Sequence, residues 1–495
     1  MSQINWKERA QHMNFNGQAF INGQRVDALS GATFECISPC DGRKLADVAR
    51  CDKADVDAAV SVARAAFEDG RWAHLSPRKR KEILIRFADL IVQSKNELAL
   101  TETLDMGKLI SNALAVDVMG AQNTIRWFGE AIDKIYDEVA PTPRDSLALI
   151  TREPVGVVAA VVPWNYPLLM TSWKIAPALA AGNSVILKPS EKSPLTALRL
   201  AELALEAGIP AGVFNVVTGF GHEAGAALAE HMDVDCVAFT GSTAVGKRIM
   251  AAAANSNLKR AWMELGGKSP NIVFADCPDM EGAAAAAAGN VFYNQGESCN
   301  APTRLYVEAS IKDAFMKKVA AHVASFQPGD PLDPATTMGA IVDDIQMNGV
   351  LKYIESGKTE GAELIAGGQQ CRQESGGYFI EPTIFVTNKN HTIAREEIFG
   401  PVLSAMTFET EAEAIALAND SIYGLQAGVW TADISRAHRV ARALKAGTVH
   451  INQYNDDDIT VPFGGYKQSG NGRDKSLHSM DKYCELKTTW IKIDY

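Results

Sequence analysis

Between residues 151 and 267, short runs of β-branched and aliphatic residues alternate with longer stretches whose apolar positions recur at helical spacing. The runs 155–162, 184–188, 213–218 and 234–240 predict strands, and 168–181, 194–207, 222–231 and 244–254 predict the helices between and after them. These strand runs lack strict alternation, so both faces are buried, which calls for a parallel sheet covered by helices. A second alternating region extends from Asn271 to about Gly470, with strands expected at 271–274, 303–307 and 448–452. The alanine tract 283–288 reads as a buried helix, because alanine is the best helix former and Val291 and Phe292 follow it. Residues 134–149 and 483–495 fit neither region. The second of these alternates Leu486, Thr488 and Trp490, the pattern of a strand free to pair with another edge.

A chain of 495 residues with 47% hydrophobic and 22% charged residues can bury large cores and divide into two or three domains. Its net charge of -11 provides no basic face for nucleic acid or an anionic membrane. No apolar run is long enough to span a bilayer, and the polar start, 1–17, lacks the apolar segment of a secretory signal. A cytoplasmic location is expected. The eight cysteines are scattered without C-x-x-C spacing, which suits reduced thiols. The nine histidines form no H-E-x-x-H pair, so no metal site is expected.

Two phosphate-loop patterns nearly match. Gly241-Ser-Thr-Ala-Val-Gly246-Lys247 has P-loop spacing, but Arg248 stands where a hydroxyl would bind magnesium, which disfavours a nucleoside triphosphatase. What survives is a strand feeding a glycine turn and a helix whose free N–H groups can hold a phosphate. A plain strand-to-helix turn explains the loop equally well. Gly219-Phe-Gly221-His-Glu-Ala224 fits the dinucleotide fingerprint, yet it sits in the third βα unit and its acidic partner is not clearly placed. Lys188-Pro-Ser-Glu191 lies where a parallel strand ends, a usual ligand position, with a lysine and a carboxylate suited to ribose hydroxyls. Cys299 closes a glycine-containing turn, but a lone cysteine is more often a buried small hydrophobe, and no histidine base pairs with it by spacing. Glu264, in Glu264-Leu-Gly-Gly-Lys268, reads equally as a charged turn.

Taken together, Pro163-Trp164-Asn165, Lys188-Pro-Ser-Glu191, Phe239-Thr-Gly-Ser-Thr243, Glu264-Leu-Gly-Gly-Lys268, Asn294-Gln-Gly-Glu-Ser-Cys299, Glu397-Ile-Phe-Gly-Pro401 and Pro462-Phe-Gly-Gly-Tyr-Lys467 resemble the aldehyde dehydrogenase superfamily, in its order and across nearly the whole chain. Asn455-Asp-Asp-Asp458 and the stretch 467–476 make it most similar to bacterial γ-glutamyl-γ-aminobutyraldehyde, aminoaldehyde and guanidinobutyraldehyde dehydrogenases. The resemblance implies an α/β fold of two parallel-sheet domains: a Rossmann-like NAD-binding domain from 1–133 and 151–263, a catalytic domain from 264–470, and oligomerisation segments at 134–150 and 476–495 in a homodimer or homotetramer. It implies NAD held by Trp164, Lys188, Glu191, Gly221, Gly241, Ser242, Gly246, Glu397 and Phe399. NADP is the alternative, disfavoured because Glu191 would meet its 2'-phosphate as a like charge.

The implied chemistry suits the residue types. An aldehyde releases hydride only after its carbon becomes tetrahedral, so a soft nucleophile, Cys299, adds first. The Asn165 amide and the Cys299 backbone N–H then stabilise the alkoxide, and after hydride leaves, Glu264 activates water to hydrolyse the thioester. Two departures stand out. Glu297 replaces a common Gln and would raise the thiol pKa by like-charge proximity. Asp474 replaces a common Glu, so no proton-relay role is carried over to it. A cationic or strongly polar substrate tail is expected, read chiefly by Asp457, with Asp117 near the tunnel mouth and Tyr166, Trp173 and Trp164 offering aromatic faces. A coenzyme A-acylating dehydrogenase, a thiol hydrolase and a non-catalytic relative are the alternatives.

Overall fold

The computed structural model describes residues 4–454 and 456–494. Asn455 of the acidic motif and Tyr495 at the end of the C-terminal segment lie outside the described residues. Five parallel strands form the centre of the first sheet, in the spatial order Arg260–Glu264, Cys236–Thr240, Val157–Val161, Ser184–Lys188 and Phe214–Val216. An N-terminal hairpin, Ala19–Ile21 and Gln24–Val26, extends it antiparallel at one edge. Every residue of Val157–Val161, Ser184–Lys188 and Cys236–Thr240 is buried, which explains their unbroken apolar runs.

The expected helices are present as Pro167–Ala181, Leu195–Ala207 and Thr243–Asn255. The stretch expected as one helix over 222–231 begins instead as a wide turn, Gly221–Gly225, before the short helix Ala226–Glu230. Strand order reverses between Cys236–Thr240 and Val157–Val161, and the crevice beyond the carboxyl ends of two such strands is where open α/β sheets bind ligands. The sequence pattern did not reveal Arg260–Glu264. It is an edge strand whose first three residues are only partly buried, so it carries no apolar run.

A turn over 265–269 leads into the second sheet. Its parallel strands are Thr383–Val386, Val402–Phe408, Arg304–Glu308, Pro270–Val273, Gln426–Trp430 and Thr448–Ile451, in spatial order, with Glu363–Ala366 antiparallel at the edge. The alanine-rich helix Met280–Phe292 packs Ala283, Ala287, Val291 and Phe292 against Val273, Leu305 and Leu403. Small side chains let it lie close to the sheet. Glu264 ends the last strand of the first sheet, while Cys299 and Glu397 precede strands of the second, so the carboxyl edge of one sheet confronts the amino edge of the other.

The remaining segments form a separate three-stranded antiparallel sheet, in the order Cys484–Lys492, Ser146–Pro154, Glu138–Ala140. The alternating tail is thus a strand, paired over its full length with Ser146–Pro154. The central strand continues to Pro154, past the expected boundary at residue 150. The stretch 476–483 belongs to the body of the molecule, since Ser479, Met480 and Tyr483 are buried there.

Candidate active site

A cavity of about 820 Å³ occupies the gap between the two sheets, and Asn165, Ser242, Cys299 and Glu397 all line it. Cys299 arrives there through an unusual turn. After the helix Met280–Phe292, Asn294, Gln295 and Gly296 take φ angles of 47°, 58° and 75°, a left-handed run that costs free energy at the two non-glycine positions. The Gln295 side chain holds it, donating to the Ala340 carbonyl at 3.1 Å and accepting from the Gly339 N–H at 3.2 Å.

Asn165 follows the strand Val157–Val161. Its Nδ2 donates to the Glu297 carbonyl at 2.8 Å, and Asn294 Nδ2 donates to the Asn165 carbonyl at 3.1 Å. An amide nitrogen carries two hydrogens, so one stays available for an oxygen bound beside Cys299. Burial pushes the Cys299 thiol up to about 12, and the facing Glu397 and Glu264 carboxyls add to the shift. The thiol is therefore stored neutral and must lose its proton in reaction. Glu297 does not act on it as expected. Its carboxyl is fully buried, takes the Val342 N–H at 3.1 Å, and is pushed by burial well above the carboxylate range, so it is a neutral acid.

Glu264 lies just behind the cavity wall. Its neighbours Leu265 and Gly266 line the cavity, while its carboxyl is tucked beside Gly464 and Gly472 with both oxygens buried and without hydrogen-bond partners. Burial, reinforced by Asp474, raises this carboxyl well above its usual range. Such a group gains from taking a proton, which is what a base requires. Asp474 itself is buried between Lys174 and Lys482. Burial alone would raise it, but the two ammonium groups outweigh that and hold it ionised.

On the nucleotide side, Ser242 caps the helix Thr243–Asn255, its hydroxyl accepting from the Val245 N–H at 3.3 Å. The hydroxyl thus accepts a cap bond, and the helix N-terminus that follows Gly241 and Ser242 on the cavity wall has the free N–H groups and positive dipole end that suit an anion. Gly246 serves packing: a methyl there would sit 2.6 Å from Leu265 Cδ2. Gly241 lines the cavity, and Gly221 lies outside its lining. Lys188 and Glu191 pair at 3.0 Å beyond the neighbouring strand, on the opposite side of Val157–Val161 from Ser242. Glu397 Oε1 accepts from the Gly267 N–H at 2.9 Å, and a Cβ at 266 would lie 2.0 Å from Glu397 Oε2 and displace that carboxyl. Burial raises Glu397 to about 7. Phe399 meets Trp164 edge-on with centroids 5.2 Å apart. The Lys188–Glu191 pair lies outside the cavity lining, while the helix start at Ser242 and the Glu397 carboxyl both border it, an arrangement that fits a nicotinamide dinucleotide extending from the cavity past Ser242.

Expectations for the substrate end need correction. Asp457 lines the cavity with Asp456, but it is ion-paired with the buried Lys475 rather than free. Asp117 is not at the mouth. It lies fully buried in the turn Ala113–Val118, 2.5 Å from Lys108 Nζ, and its neighbour Val116 faces the cavity. Trp164, Tyr166 and Trp173 do line the cavity, yet each already faces an internal ammonium: Lys192 at 5.3 Å, Lys108 at 4.2 Å and Lys475 at 5.5 Å. Sequence reasoning missed these lysines. A lone Lys174 inside the otherwise apolar run 168–181 was the one visible signal of a buried partner elsewhere.

Residues 26–489 match the model of the aldehyde dehydrogenase family, and the chain belongs to that family. It is accordingly an oxidoreductase of aldehydes, as its motifs suggested. It is 55% identical over 490 residues to the NADP/NAD-dependent aldehyde dehydrogenase PuuC of Escherichia coli (strain K12), covering 99% of this chain and 98% of the relative. Among solved structures, a γ-glutamyl-γ-aminobutyraldehyde dehydrogenase from Burkholderia cenocepacia J2315 is 58% identical with a TM-score of 0.97, over 99% of both chains. An indole-3-acetaldehyde dehydrogenase in complex with NAD+ is 61% identical with a TM-score of 0.98, also over 99% of both. Among the described residues no helix is long and apolar enough to cross a membrane, and no group of His, Cys, Asp or Glu is arranged to hold a metal.

Proposed function

We propose that this protein oxidises aliphatic aldehydes carrying an ω-amino, γ-glutamylamino or guanidino tail to carboxylic acids, with NAD as hydride acceptor, in polyamine or amino-acid catabolism. The observation that carries the reading is the meeting of Cys299 and Asn165, in one cavity, with the anion site at Ser242 and the carboxyl of Glu397. Cys299 releases its thiol proton to water in the cavity, its sulfur adds to the aldehyde carbon as the C=O π pair moves onto oxygen, and Asn165 Nδ2 with the Cys299 N–H holds the alkoxide. Bound NAD supplies the hydride acceptor. Trp164, Lys188, Glu191, Gly241, Ser242, Glu397 and Phe399 form its cradle, with Gly246 bringing the helix close and Gly221 at the outer flank. Glu264 then swings from behind the wall to activate water against the thioester.

Asp456, with the half-exposed Asp457 that Lys475 only partly offsets, puts negative charge on the cavity wall and favours a cationic tail, and the similarity to a γ-glutamyl-γ-aminobutyraldehyde dehydrogenase points the same way. A second reading, a flat aromatic aldehyde, draws on the apolar wall of Leu169, Met170, Trp173 and Phe463 and on the similarity to an indole-3-acetaldehyde dehydrogenase. Comparing kcat/KM for 4-guanidinobutanal, a γ-glutamylated aminoaldehyde, hexanal and indole-3-acetaldehyde separates them. Preference for the charged pair, reduced by Asp457→Phe, supports the first reading, and preference for the indole overturns it. Product formation without coenzyme A excludes an acylating enzyme. The strand Cys484–Lys492, with Leu486 and Trp490 exposed at the sheet edge, supports a homodimer or homotetramer, which light scattering on the eluted protein measures, and we keep the cytoplasm as its location.

A further inference from the structure

Tyr166 stands at a junction that the chemistry above does not use. Its hydroxyl is 2.7 Å from Ser298 Oγ, and Ser298 is joined by one peptide bond to Cys299. Its ring rests on Lys108, whose ammonium lies 4.2 Å from the ring centroid. That lysine is wholly buried, held by Asp117 at 2.5 Å and Glu102 at 3.8 Å. Glu102 also accepts the Leu168 N–H at 3.3 Å, in the first turn of the helix that Tyr166 begins. A buried platform thus fixes the ring, and the hydroxyl reaches from it to the nucleophile's loop.

The physical consequence follows from the planarity of the peptide group. The carbonyl of Ser298 and the N–H of Cys299 belong to one rigid plane, so anchoring Ser298 sets the direction of the N–H that faces the developing alkoxide. An ammonium on the ring face is attracted to the negative face of the phenol and holds the ring, and with it the hydroxyl, in place beside Ser298. The left-handed turn over 294–296 lies immediately upstream, and a strained loop holds its shape only where such contacts fix it.

We infer that Tyr166 is a positioning residue for the reaction: through its hydrogen bond to Ser298 it aims the Cys299 backbone N–H at the alkoxide. This rests on the reading of Cys299 as nucleophile. The test uses the full-length enzyme with NAD and propanal, an aldehyde too short to report on recognition of a tail. Tyr166→Phe, Ser298→Ala and the double variant are compared with the parent for the first-turnover burst of NADH, the KM for propanal and NAD binding by tryptophan fluorescence. Loss of a whole oxyanion donor costs roughly a hundredfold to a thousandfold, so a misaimed one is expected to slow the burst about three- to thirtyfold. KM and NAD affinity stay near the parent's, and the double variant is no slower than the slower single one. A burst rate unchanged in Tyr166→Phe, or losses that multiply in the double variant, overturns the inference. Cys299→Ala serves as the separate control: a burst that survives it sinks the nucleophile reading itself, whereas its abolition beside an unaffected Tyr166→Phe sinks only the positioning role.

Discussion

Removing Lys475 should sharpen the preference for cationic aldehydes rather than weaken it. The Lys475 ammonium is buried against Asp457, while the Asp457 side chain is 51% exposed at the cavity wall. A substrate cation about 4 Å from that carboxylate gains roughly 1–4 kcal/mol at effective dielectrics between 80 and 20. The lysine, on the far side of the same carboxylate and so roughly 6 Å from the newcomer, repels it by about 0.7–2.8 kcal/mol on the same scale. Lys475→Met keeps the length and apolar stem of the side chain and removes the ammonium, and with it the repulsion, the ion pair with Asp457 and the cation–π contact with Trp173. The ratio of kcat/KM for 4-guanidinobutanal over hexanal should rise by roughly threefold to a hundredfold. The half-exposed carboxylate puts the expectation at the low end, because solvent screens the pair. Steady-state NADH production with both aldehydes measures it directly. A ratio that stays constant or falls would refute the reasoning, and would mean that the tail does not approach Asp457.

Alkylation of Cys299 in the cofactor-free enzyme should keep accelerating through pH 10, because a thiol raised to about 12 yields its reactive thiolate only as pH climbs; a plateau near pH 8 contradicts this. Glu297→Gln should leave the burst rate within about twofold, since an amide replaces an acid that is already neutral; a large gain in thiol reactivity would restore the like-charge role. Asp474→Asn leaves Lys174 and Lys482 buried without a counter-charge and should cost about 3–5 kcal/mol, seen as a clear drop in apparent Tm; an unchanged Tm contradicts the buried triad.

Much of the fold was legible because its central strands are buried on both faces and announce themselves as unbroken apolar runs. The strand Ser184–Lys188 was read to the residue. Arg260–Glu264 escaped because an edge strand needs no such run, although it places Glu264 at the carboxyl end of the first sheet. The motifs pointed to Cys299, Asn165 and Glu264, and the structure brings the first two onto one cavity wall with Glu264 just behind it. The substrate end was harder. Whether Asp457 is free or paired depends on Lys475, 18 positions later, and whether Asp117 faces the cavity depends on the pitch of one turn. Neither is written in local pattern. Charged side chains that satisfy one another across long sequence separations, such as Lys174 with Asp474, leave only the trace of an ion in an apolar helix.

The central claim is a covalent acyl group on Cys299, and intact-protein mass spectrometry of Glu264→Gln mixed with NAD and hexanal tests it most directly. With the water-activating carboxyl gone, the thioester should accumulate, one NADH should form per site, and the chain should gain the mass of the aldehyde less two hydrogens, mapped by proteolysis to Cys299. NADH released in a burst without any such adduct, or an adduct on another residue, would contradict the account.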